Sequence, residues 1–126
     1  MAFKLKATVE LRSLQPQMVL AALVVKDALD YVVLDTIITS GSDSHTTGLH
    51  PLGTALDFRT KHIALGSPDR LTILLGLIGR IAEALRSNIT PEQRGNTYIW
   101  GGQLFDLLLE NFGEDNEHLH VEYQPK

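Results

Sequence analysis

The chain has 126 residues, 44% hydrophobic and 21% charged, with 11 Lys and Arg against 15 Asp and Glu for a net charge of -4. That length and balance suit one domain able to bury its own core, and the acidic charge argues against a nucleic-acid partner. The absence of cysteine excludes disulfides, thiolate metal sites and cysteine nucleophiles together.

The first residues carry lysines but no continuous apolar run. No signal peptide is therefore expected, and synthesis should be cytoplasmic. Phe3, Leu5, Ala7, Val9 and Leu11 alternate with mostly polar neighbours, which predicts a strand. Pro16 suits the first turn of a helix that continues from Met18 to Tyr31. Its apolar run, Met18 to Val25, is too short to span a membrane, so no membrane partner is expected. Val32 to Thr39 is apolar and β-branched, as a strand would be. Ser40 to Leu52, rich in Ser, Gly, Thr and His, reads as a loop. Gly53 to Arg59 follows as a second central strand. Ser67-Pro68-Asp69 offers a cap and a proline for the start of another helix. Leu71, Leu74, Leu75, Ile78, Ile81, Ala82 and Leu85 then recur at helical spacing. Asn88 to Gly102 has no decisive pattern. Leu104 to Glu110 and His118 to Tyr123 read as paired strands, joined through a connection that contains Gly113. The expected architecture is one α+β domain over 1–126, with an antiparallel central sheet and at least two packed helices.

The chemistry concentrates in two places. In Glu117-His118-Leu119-His120-Val121-Glu122-Tyr123, side chains two apart share a strand face. His118, His120 and Glu122 form a polar face, and Leu119, Val121 and Tyr123 a core face. Upstream, Leu49 to Asp57 places His50 at the end of a loop and Asp57 in the following strand. His50, Asp57 and His120 can form the tripod of a catalytic zinc site, which leaves a fourth position for water. Glu117 stands at the strand entrance as a general base. Taken singly, each residue has an ordinary reading: His50 as a loop histidine, Asp57 as a cap or a partner of Arg59, His118 as an exposed strand-start histidine. His45 can line the site or decorate the loop, and His62 reads as surface. Glu110, Glu114 and Asp115 read as a solvated cluster. Trp100 reads as core or loop packing in preference to a cleft wall.

The segment Ile37 to His45, followed by Leu49-His50-Pro51-Leu52-Gly53-Thr54-Ala55-Leu56-Asp57, resembles the Ser-x-His-x-x-Gly-x-Ala-x-Asp signature of the zinc D-alanyl-D-alanine carboxypeptidases and phage peptidoglycan endopeptidases. The hedgehog amino-terminal domain shares that family's fold. Glu117-His118-Leu119-His120 resembles the second motif, an acidic residue three before the last zinc histidine. The resemblance covers most of the chain and is closest to small single-domain members from phages and prophages. It implies zinc on His50, Asp57 and His120, Glu117 as general base and acid, and His118 beside the metal or the developing oxyanion. It implies a monomeric metallopeptidase acting on peptidoglycan stem peptides of the bacterial cell wall. The bond is that of a D-Ala-D-Ala carboxypeptidase or an L-Ala-D-Glu-type endopeptidase, as in endolysins. A zinc-containing, non-catalytic binding module on the same fold is the alternative. Two positions depart from the pattern: Gly48 replaces the signature serine, and Pro51 follows His50 where an aromatic residue is common. The arginine that several members direct at the oxyanion has Arg59 as its nearest candidate.

Overall fold

The computed structural model of the protein describes residues 1–7, 9–11, 13–41 and 53–126. In chain order these form β1 (Phe3–Leu5), α1 (Pro16–Tyr31), β2 (Thr36–Ser40), β3 (Ala55–Arg59), α2 (Arg70–Ala84), β4 (Glu92–Arg94), β5 (Thr97–Trp100), β6 (Phe105–Glu110) and β7 (His118–Tyr123). The architecture is α+β. Seven strands make one sheet in the order β1-β2-β3-β7-β6-β5-β4. β1 pairs with β2 in parallel, and every other pairing is antiparallel.

The two central pairings follow from sequence alternation. β6 and β7 form the expected hairpin, from Phe105 opposite Tyr123 to Glu110 opposite His118. Gly113 takes φ +82° in the connection, a left-handed conformation that glycine adopts without a Cβ penalty. β3 packs on the other side of β7, with Asp57 opposite His120 and Arg59 opposite His118. Leu56, Phe58, Leu107, Leu109, Leu119, Val121 and Trp100 are buried. They join the inner faces of α1 (Met18, Ala21, Val25, Leu29) and α2 (Leu74, Ile78, Ile81) in one core. Both helices therefore serve the apolar strand face, and among the described residues no helix covers the polar one.

Gly53 fixes the entry to β3. It has φ +73°, and a Cβ there would lie 1.7 Å from the Ser13 carbonyl oxygen. Its own carbonyl accepts the Gln15 N–H at 2.9 Å, which ties the β3 entry to the start of α1.

Several elements differ from expectation. The alternation from Phe3 to Leu11 yields only the three residues of β1. The chain then turns, with the Val9 N–H donating to the Lys6 carbonyl at 2.9 Å. Val9 and Leu11 still pack against the core, so their apolar character marks burial without a strand. β2 starts four residues later than its apolar run, because Val33 adopts φ +60° in the turn after α1. α2 begins at Arg70, beyond Pro68, and the Ser67 hydroxyl accepts the Asp69 N–H at 3.2 Å. Glu92 to Trp100 forms the hairpin β4–β5 in the stretch without a decisive pattern. Trp100 is fully buried in the core. His62 is half-buried and donates from Nε2 to the Asp35 carbonyl at 2.7 Å, so it is more than a surface residue.

Candidate functional site

The register of β3, β7 and β6 brings their polar side chains to one sheet face. His120 Nδ1 lies 2.8 Å from Asp57 Oδ1. On the far side of the same ring, Nε2 lies 3.7 Å from Glu122 Oε1. Burial alone would lower the His120 pKa, but the hydrogen bond to Asp57 and the negative charge of Asp57 and the nearby Glu122 outweigh it, and the pKa is raised to about 10. Without a metal, His120 is therefore an imidazolium paired with Asp57.

His118 occupies the next position on that face. Its Nδ1 lies 2.7 Å from the Asn116 carbonyl oxygen and its Nε2 3.2 Å from Glu110 Oε1. Asp57 Oδ1 is 3.8 Å from the same Nε2. The partners of both nitrogens are acceptors, so the ring donates from both and carries a positive charge. The hydrogen bond that His118 donates to Glu110 raises the His118 pKa, more than offsetting burial, with Asn116, Asp57 and the Glu110 charge adding to the rise. The same bond lowers the Glu110 pKa. Glu110 was read as part of a solvated cluster and is instead the partner of His118. The signal lay in the hairpin register, which sets Glu110 directly opposite His118. Of the rest of that cluster, Glu114 accepts a hydrogen bond from Asn96, and Asp115 meets Lys61 at 3.5 Å in solvent.

Glu117 immediately precedes β7 and is held in a buried network of hydrogen bonds. Its side chain is 1% exposed. Oε1 accepts from Thr60 Oγ1 at 2.6 Å and Arg70 Nη2 at 2.5 Å. Oε2 accepts from Arg70 Nη1 at 2.7 Å and the Gly113 N–H at 2.8 Å. Arg70 also donates to the Thr60 carbonyl at 2.9 Å and the Ile63 carbonyl at 3.0 Å. Its guanidinium lies over the Phe112 ring, 5.6 Å from the centroid. Burial pushes the Glu117 pKa up, but the hydrogen bonds from Arg70, Thr60 and Gly113 and the Arg70 charge hold it below the ordinary carboxylate value. Glu117 is thus ionised at neutral pH and joins three segments: the turn after β3, the start of α2 and the β6–β7 connection.

A cleft of about 570 Å³ opens beside these groups, lined among others by Lys6, Asp57, Arg59, Lys61, Glu117 and His118. It brings Lys6, Arg59, Lys61 and the charged His118 ring around one space with Asp57 and Glu117.

Of the expected zinc ligands, Asp57 and His120 come together. His50 lies outside the described residues, as does His45. Among the described residues, no three His, Asp or Glu side chains are grouped so as to hold a metal ion. A metal on the Asp57–His120 pair thus needs a further ligand from outside that set. The pair fits zinc in donor type. Two ligands at Zn distances of about 2.0–2.2 Å in a tetrahedron stand about 3.3–3.6 Å apart, so the Nδ1–Oδ1 hydrogen bond of 2.8 Å must open by roughly 0.5–0.8 Å to admit the ion. The Glu122 carboxylate behind Nε2 resembles the outer partner that metal-bound histidines use to fix their tautomer.

No family model matches the chain, and neither a curated protein nor a solved structure matches it. Among the described residues, no helix is long and apolar enough to cross a membrane.

Proposed function

We propose that this protein is a zinc-dependent peptidase acting on peptidoglycan stem peptides, with a fold of the hedgehog/D-Ala-D-Ala-peptidase type. The observation that carries the reading is the placement of Asp57 opposite His120 with side chains 2.8 Å apart. These are two of the three ligands that the paired motifs imply, on the sheet face opposite α1 and α2. His50, from the segment immediately before β3, is the third. Zinc, when bound, acidifies a water and polarises the scissile carbonyl.

The chain's own residues supply the rest. Asp57 and His120 hold the site, and Glu122 orients the His120 ring. Glu117 takes the proton from the attacking water and returns it to the departing amine. All its lone-pair directions are engaged, so protonation requires one donor to yield. The Thr60 hydroxyl can do this by turning, because a hydroxyl accepts as readily as it donates. His118 shares its Nε2–H, now accepted by Glu110 at 3.2 Å, with the carbonyl oxygen as negative charge develops there. Both the D-Ala-D-Ala and the L-Ala-D-Glu bond remain within the proposal.

One observation favours the second reading, a zinc-containing binding module without turnover. A carboxylate as fully engaged as Glu117 serves a structural staple as well as it serves a base. Metal analysis of the purified protein and of His50→Ala and His120→Ala variants tests what the two readings share. About one zinc per chain in the parent and loss of zinc in both variants is expected. Full zinc retention in both variants removes these residues as ligands and ends both readings.

A further inference from the structure

Glu110 has no part in the motifs, yet it lies on the same sheet face as Asp57 and His120. It ends β6 directly opposite His118 at the start of β7. Its Oε1 meets His118 Nε2 at 3.2 Å, while the Asn116 carbonyl holds Nδ1 at 2.7 Å. The two contacts lie on opposite sides of the imidazole and together fix its rotation. With the ring so fixed, Nε2 stands 3.8 Å from Asp57 Oδ1 and His118 lines the cleft. A strand-start histidine with no such partner would sample several staggered rotamers, and a displacement of about 1 Å in a reacting group can cost on the order of a hundredfold in rate.

We infer that Glu110 is a positioning residue, which acts through His118 to hold the ring so that its Nε2–H, accepted by Glu110 at 3.2 Å, is also shared with the carbonyl oxygen of the substrate. The assignment rests on the peptidase reading. It adds to that reading a carboxylate–imidazole pair that belongs to the sheet register and stands apart from the metal ligands. Among the described residues Glu110 meets Asp57 and His120 only through charge, with no hydrogen bond to either, so its removal should leave both in place as ligands.

The test uses the full-length zinc-loaded protein and the synthetic pentapeptide L-Ala-γ-D-Glu-L-Lys-D-Ala-D-Ala, which contains both candidate bonds. Glu110→Ala should lower kcat about tenfold or more with little change in KM and unchanged zinc affinity in chelator competition. Glu110→Gln, which keeps an acceptor oxygen, should recover most of the rate. In a His118→Ala background, Glu110→Ala should cost nothing further. In the metal-free protein at fixed pH, the ring-nitrogen NMR shifts of His118 should move in Glu110→Ala more than in Glu110→Gln. Parental kcat in Glu110→Ala, or an equal loss with and without His118, overturns this assignment alone. A parent protein that binds zinc and leaves the pentapeptide intact overturns the peptidase reading and this assignment with it.

Discussion

Replacing Arg70 by Met should destabilise the protein more than any exposed substitution, because it strands a buried carboxylate. Met keeps much of the side-chain stem and removes the guanidinium, which lies over the Phe112 ring. Glu117, 1% exposed, then loses two of its four hydrogen bonds and its counter-charge, and Arg70 itself is only 16% exposed in the parent. Breaking a buried pair by removing one partner costs about 3–5 kcal/mol. With an unfolding entropy of about 2.1 cal/mol/K per residue, 126 residues give about 0.26 kcal/mol/K, so the expected fall in Tm is about 11–19 °C. Calorimetry or urea denaturation in excess chelator measures it without a metal contribution. The double variant Arg70→Met/Glu117→Gln should regain much of the loss, since no unpaired charge remains. A fall of less than about 4 °C in Arg70→Met would refute the reasoning. It would mean that water screens the pair as it does an exposed one.

Glu117→Gln should keep zinc and lower turnover about a hundredfold or more, checked by metal analysis beside steady-state kinetics. Because the Glu117 pKa is lowered, the parent's acid limb in kcat/KM should fall below the ordinary carboxylate range. The same group adds stability that is present above its unfolded pKa and is lost as pH falls through the lowered folded one, so acid unfolding should be less steep in Glu117→Gln. His118→Ala should cost activity by about a hundredfold, on the order of 3 kcal/mol, with little loss of zinc, as separate zinc titrations and kinetics would show. With the metal-free His120 pKa raised to about 10, zinc uptake at pH 7 must displace its proton. Calorimetry in buffers of different ionisation enthalpy should find about one proton or more released per zinc, and tighter binding as pH rises.

The parts of the fold that were legible in the sequence are those with strict periodicity. The alternation in His118 to Tyr123 forced one face into the core and one into the open, and β7 follows it. The spacing from Leu71 to Leu85 likewise gave α2. Phe3 to Leu11 has the same alternation, yet only β1 forms, because those apolar residues cover the core from a turn. β4 was hidden because its three residues, Glu92, Gln93 and Arg94, are exposed on a sheet edge and carry no apolar signal. In the site, parity predicted the shared face of His118 and His120. Glu117 precedes the strand, and its partner Arg70 lies 47 residues away, so only the tertiary fold joins them. Glu110 was legible in principle, since counting back across the hairpin pairs it with His118.

The most direct test is digestion of purified peptidoglycan by the zinc-loaded protein, with mass analysis of the released material. The account predicts products of hydrolysis at one stem-peptide bond, either free D-alanine or peptides severed between L-Ala and D-Glu. Their release should stop on chelation and return when zinc is restored. Peptidoglycan left intact by the zinc-loaded protein, or cut equally well after chelation, would contradict it.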